Sequence, residues 1–443
     1  MTRRLRGTGW AVGLAALLGL LAACGSPPPT LAQAAPPPGQ AGDVLACLDT
    51  PRQDPIPPGD AAAQVKAITA RVEAIRGHRL GKDLAPEFVT VQEMSRRIAD
   101  QVNTEYPGDE ADADRRILAA LGAVPTEVDL RALVAKLLAG QVVGFYDTKT
   151  EELIVVAGDP KAPLDVTAQI TLAHELDHAL VDAALGLPDD EPKGPSDAGL
   201  AMLALVEGDA VLTQQRFLLS VIPPSQQLGL AMDPEILQAQ AQLQSFPYVL
   251  RAQLEFPYAE GAAFVCGLYA QGGWPAVDAA YRDLPTTSAQ ILFPQRYSAR
   301  EGAVDPRDPG ALGGAWKRAR TDTIGAAELL WLFQAPGDDP QASIDDPLGA
   351  VEAWAGGELH LWTDGPASAV GVALVDRAGD GTLCAAVARW YRAAFPRDRA
   401  AERRPGEALA SDGPTQDAAL RCGDRDVRLG IASDLATARA LAS

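Results

Sequence analysis

Histidine is scarce in this chain: four stand among 443 residues, so any two that fall close together carry weight. Basic residues are outnumbered, with 38 Lys and Arg against 58 Asp and Glu and a net charge of −20. That balance argues against nucleic acid or an anionic lipid surface as the partner, because both repel a strongly acidic protein. After residue 24 no apolar run approaches the roughly 20 residues that a membrane-spanning helix needs. No internal repeat is visible either, which excludes a solenoid. What remains is a chain with 47% hydrophobic residues, long enough for two domains with substantial cores.

The one long apolar run lies at the start. Arg3, Arg4 and Arg6 precede "WAVGLAALLGLLA", 13 residues, which is a signal-peptide core rather than a span. It closes on "LAAC", which resembles the lipobox of bacterial lipoproteins. The resemblance implies that residues 1–23 are removed and that Cys24 is lipidated, leaving the mature protein anchored to a membrane of the cell envelope and facing the periplasm or exterior. Export to an oxidising compartment makes Cys47, Cys266, Cys384 and Cys422 candidates for disulfides rather than metal ligands. Four cysteines allow three pairings. Cys384 with Cys422 is favoured because both fall in one C-terminal module, and Cys47 with Cys266 follows by elimination.

Residues 24–59 are rich in Pro, Ala and Gly and read as a semi-extended tether. A domain at 60–300 follows. Val65, Ile68, Val72 and Ile75 keep helical spacing, "EFVTV" reads as a strand, and helices are expected at 92–102, 112–121 and after a cap at Thr126. "QVVGFYD" and "EELIVVAG" suggest a hairpin, and the breaker-rich 186–199 a surface loop. The stretch "LAMLALVEGDAVLTQQRFLLSVI" is helical and apolar on most faces, hence buried. Pro, Gly and Asp accumulate at 301–314, which is read as a linker. Residues 315–443 then read as a small module with helices at 323–333 and "TLCAAVARWYRAAF", strands at "ELHLW", "AVGVALVD" and "DVRLGIA", and a short last helix. The expected fold class is α+β and mostly helical.

The chemistry concentrates in "LAHELDHAL", residues 172–180. Positions i and i+4 share a helix face, so His174 and His178 can aim two imidazoles at one point. Glu175 lies about 100° around the helix, beside that point, where a general base belongs. Zinc takes such nitrogen donors and, in catalytic sites, three protein ligands with a fourth position for water. In a chain so poor in histidine the chance occurrence of HExxH is on the order of a few per thousand. Asp177 departs from the usual pattern, which has an uncharged residue between the glutamate and the second histidine. Val181 and Ala184 stand where a metzincin would carry glycine and its third histidine. Only His78 and His360 remain among the histidines, so a carboxylate is the better third ligand. Glu207 and Asp209 supply two in the most apolar helix of the chain, where acids are costly without a cation.

The pairing of HELDH with a downstream "EGDA" resembles the gluzincins, zinc peptidases of the zincin fold. This resemblance implies one Zn2+ held by His174, His178 and Glu207, with Glu175 as base. Asp209 would orient a ligand histidine, or ligate directly. More broadly, "GFYD…K…ELIVV", "LAHELDHAL", "LVEGDA", "GGWPAVDAAY" and "SAQILFPQRY" resemble a family of uncharacterised bacterial metallopeptidases, often lipoproteins, over about residues 85–300. The last motif of that family carries a histidine before the proline where this chain has Phe293, a departure that bears on turnover and not on metal binding. Candidate donors to an oxyanion, by residue type and nearness, are Tyr146, Tyr258, Arg296 and Tyr297. The resulting expectation is a membrane-tethered, extracytoplasmic zinc peptidase acting on peptides or proteins. The alternative is a lipoprotein that keeps the metal but serves as an envelope binding or assembly factor, with Phe293 and Asp177 as its motivation.

Overall fold

The computed structural model describes residues 47–157, 161–187 and 196–443. The expected signal peptide, the lipidation site Cys24, the first part of the tether and most of the 186–199 loop lie outside the described residues. Among the described residues no helix is long and apolar enough to cross a membrane.

The chain is α+β and mostly helical, 53% helix and 16% strand. It opens with α1 (Ala61–Arg76), capped by the Asp60 carboxylate on Ala63 N and ended by Gly77 in the left-handed region. β1 (Glu87–Val89), α2 (Val91–Glu105), α3 (Gly108–Ala120) and α4 (Leu130–Ala139) follow. The cap of α4 is Asp129 rather than Thr126: its carboxylate reaches Ala132 N, three residues on, as an N-cap must. β2 (Gly144–Asp147) and β3 (Glu152–Val156) form the expected hairpin. β1 joins β3 in parallel, so the small sheet runs β1-β3-β2 and leaves β2 at an edge.

The HELDH helix is α5 (Val166–Leu185), capped by Asp165 on Ala168 N. The EGDA helix is α6 (Ser196–Val221), 26 residues and buried along most of its length. Short helices α7 (Pro224–Ala231) and α8 (Pro234–Leu243) lead to α9 (Tyr248–Gly272), then α10 (Trp274–Ala280), α11 (Ser288–Leu292) and α12 (Pro294–Ser298). α6 and α9 touch backbone to backbone: a Cβ on Gly208 would overlap Gly261, and one on Gly261 would overlap Ala204. Only glycine at both positions allows two helices to come so close, and this approach places Glu207.

The C-terminal part is more strand-rich than expected. In chain order come β4 (Lys317–Thr323), α13 (Ala326–Gln334), α14 (Pro347–Glu352), β5 (Trp354–Asp364), β6 (Ala367–Asp376), α15 (Thr382–Ala394), β7 (Arg399–Ala400), β8 (Glu407–Asp412), β9 (Asp417–Cys422), β10 (Asp426–Ala432) and α16 (Leu435–Leu441), and the seven strands form one antiparallel sheet. Its order is β4-β5-β6-β10-β9-β8-β7. β4 escaped the sequence because "KRARTDT" is a polar edge strand, and β8 and β9 because they bury small residues, Ala410 and Ser411 in the first and Ala418 and Ala419 in the second, beside one leucine each.

Two expectations about organisation are corrected. The described end of the tether is docked, not free: Cys47 is fully buried in a disulfide with Cys266, Gln53 N donates to Ser220 O, and Arg216 donates to Cys47 O. The segment 301–314 lacks helix and strand yet lies against the C-terminal sheet, with Val304 N donating to Ala355 O and Gly310 N to Leu441 O. One apolar core runs across it from Leu205 and Phe256 to Trp331 and Leu359, and Phe256 meets Trp331 edge to face at 5.8 Å. Cys384 pairs with Cys422, as favoured from sequence.

Candidate metal centre

α5 and α6 pack side by side, and their facing polar residues converge. His174 Nε2 lies 3.1 Å from His178 Nε2 and 3.1 Å from Glu207 Oε2, and His178 Nε2 lies 3.6 Å from the same oxygen. A tetrahedral site with metal–ligand bonds of about 2.0–2.1 Å has edges of roughly 3.3–3.4 Å. The three observed edges bracket that value, so the donors fit one small cation without rearrangement. All three side chains are buried, at 1%, 3% and 1% exposure. His174, His178 and Glu207 therefore form a group that could hold a metal ion.

The electrostatics of the protein groups point the same way. Burial works against a charge on Glu207, but His178 and hydrogen bonds from both imidazoles outweigh it and hold the carboxyl down at about 2. Burial likewise disfavours the His178 cation, yet Glu207 overcomes this and pushes it up to about 9. His174 shifts downward, driven by burial and only partly offset by Glu207. Two imidazoles thus share one carboxylate that stays ionised, which leaves the group able to receive a cation.

Glu175 is fully buried and its charge acts on His178. Its stem faces β2, where a Cβ on Gly144 would lie 3.4 Å from Glu175 Cγ and 2.7 Å from Thr171 Cγ2. Gly144 thus lets the edge strand pass directly over the HELDH helix. Gln214, two turns after Glu207 on the same face of α6, has its charge distribution acting on His174 and donates its amide to Ile170 O. The i+7 spacing from Glu207 was the available signal for Gln214, and the sequence reading missed it.

Asp209 does not orient a ligand histidine, and that expectation is corrected. It takes two hydrogen bonds from Arg76, at 3.0 and 2.9 Å, and one from Tyr281 Oη at 2.9 Å. Arg76, fully buried, also lies 3.7 Å from Asp177 and 2.6 Å from Asp278, with its guanidinium 4.4 Å from the Trp274 ring. Asp177 therefore belongs to a buried charge cluster behind the ligand helices, built around an arginine 101 positions upstream that no local motif announces.

Comparison with family models, curated proteins and solved structures gives no match. The reading of the site therefore rests on its own geometry. Of the four candidate oxyanion donors, only Tyr258 stands at the metal centre, its ring 6.2 Å from that of His174. Tyr146 donates to Asp182, Arg296 to the backbone carbonyls of Trp354 and Glu352, and Tyr297 to Asp283 O. These three are corrected to structural roles. Phe293 is buried in the main core, its ring 5.1 Å from the Arg296 guanidinium. His78 bonds Asp278 and His360 lies on β5, so neither serves this centre.

Proposed function

We propose that this protein is a zincin-like, zinc-dependent peptidase, anchored to a membrane through Cys24 and working outside the cytoplasm. The observation that carries the reading is the convergence of His174, His178 and Glu207 with Glu175 buried beside them. Imidazole nitrogens with one carboxylate are a donor set that suits zinc. When bound there, zinc polarises a carbonyl and lowers the pKa of water toward roughly 7. Glu175 takes a proton from the attacking water and returns it to the leaving amine, a role for which its place between His178 and β2 is suited. β2 is an edge strand, so an extended peptide can add alongside it and pass over Glu175. Tyr258 is the remaining candidate to donate to the oxyanion.

The test is zinc content together with hydrolysis of a broad peptide library, repeated with Glu175→Gln. A wild type without zinc, or cleavage indifferent to the substitution, would sink the proposal. A second reading, a metal-holding envelope binding factor, draws support from the near-complete burial of all four residues. It predicts bound metal, no turnover, and a partner cross-linked equally well by the Glu175→Gln variant.

A further inference from the structure

We propose that Asp308, Glu358 and His360 form a second divalent-cation site, one that clasps the segment 301–314 onto the C-terminal sheet. One nitrogen and two carboxylate oxygens are offered by these residues, and their ligand atoms all lie within 4.8 Å of one another. Glu358 and His360 are two apart on β5, so their side chains leave the same face of the strand. His360 is 1% exposed, its Nε2 lies 2.5 Å from Glu358 Oε1, and its Nδ1 is buried without a hydrogen-bond partner. A buried imidazole held against one carboxylate, with a second carboxylate within reach, is a donor set that a cation of the zinc class takes.

Asp308 is brought there by anchors on both sides. Val304 N and Gly310 N bond the sheet region, and Arg307 pairs with Asp426 at 3.3 Å. Gly371, opposite His360 on β6, leaves room for Pro309, whose Cβ would stand 3.1 Å from any Cβ added there. The segment is thus pressed against the face that carries His360. The imidazole selects a transition ion of the zinc class over calcium or magnesium, which prefer all-oxygen sites. Asp308 is exposed, so water completes the coordination.

The site is independent of the first centre, and the experiment separates them. Full-length protein is stripped with chelator, dialysed against zinc, and its metal content measured for wild type, Glu207→Gln, His360→Gln and Asp308→Asn. The expected result is about two equivalents per chain in wild type and about one in each variant. Asp308→Asn changes only an exposed side chain, so it reports on the site even if His360→Gln fails to fold. Zinc is expected to slow tryptic cleavage after Arg307 in wild type and Glu207→Gln, and not in Asp308→Asn. A wild type whose only zinc disappears with Glu207→Gln, or an Asp308→Asn variant that binds and is protected like wild type, overturns the proposal. A single equivalent lost with Asp308→Asn and kept by Glu207→Gln supports it and counts against the first centre.

Discussion

His174 and His178 hold their Nε2 atoms 3.1 Å apart, with the Glu207 carboxylate 3.1 Å from the first and 3.6 Å from the second. A cation held among these donors would tie α5 to α6 in the folded protein only. Zinc should therefore stabilise the fold markedly, by about 2.7 kcal/mol at a hundredfold excess over its dissociation constant. Thermal unfolding with and without zinc checks this. Glu207→Gln should keep its metal-free melting temperature within a few degrees and lose the zinc-dependent rise at this centre.

In the proposed peptidase Glu175 transfers the proton and does not hold the metal, so Glu175→Gln should retain zinc while peptide cleavage falls by about 10²–10⁴-fold. Metal analysis and kcat/KM on one cleaved peptide, measured on the same preparation, separate the two effects.

Arg76 lies against three carboxylates behind the site. Arg76→Met would leave Asp177, Asp209 and Asp278 without their counter-ion, and stability should drop by about 3–5 kcal/mol. Asp177→Asn should cost far less, because burial and the neighbouring Asp209 already push that carboxyl toward its neutral form. Urea denaturation of both variants tests the contrast.

Gly208 meets Gly261 backbone to backbone. Gly208→Ala should force α6 and α9 apart at a cost of about 1–3 kcal/mol, and zinc affinity should fall because Glu207 rides on the displaced turn. Gly144→Ala meets first a methyl group of Thr171 and then Ile154 O at 3.2 Å, so its chief effect should be on peptide cleavage, through the position of β2 over Glu175.

Asp197 and Glu328 are buried close to one another against Gly325, and burial followed by mutual repulsion raises Glu328 well above the usual carboxyl range, with Asp197 raised by burial. A carboxyl whose folded pKa exceeds its unfolded one contributes stability that is full below the unfolded value, near 4, and is lost as pH rises through the folded value. This pair should lower the melting temperature between pH 5 and pH 8. Glu328→Gln can still accept from Gly325 N, and it should flatten that slope and be the more stable protein at pH 8.

Helices were legible where apolar residues kept helical spacing, as at Val65, Ile68, Val72 and Ile75 of α1, whereas the one cap read from the sequence, Thr126, gives way to Asp129. The candidate ligands were legible as two histidines and a choice of acids, because histidine is rare and because acids in an apolar helix demand a partner. Arg76 and Gln214 were not, since each acts on residues far away in sequence and neither sits in a motif. Arg296 and Tyr297 were misassigned for the converse reason: nearness along the chain to a motif does not determine where a hydroxyl or guanidinium points.

The sequence by itself determined the spacing of His174, Glu175 and His178 on one helix, because the 3.6-residue turn is a local property. It also determined that α6 would be buried, because an apolar surface must be covered. Only the tertiary structure decided that Glu207 would complete the trio while Asp209, two residues on, would turn to Arg76. Positions two apart on a helix face about 200° from one another, so one carboxylate met the histidines and the other met the arginine. Which of them did so was set by the Gly208–Gly261 contact and by where α1 ends, distances that no local pattern encodes.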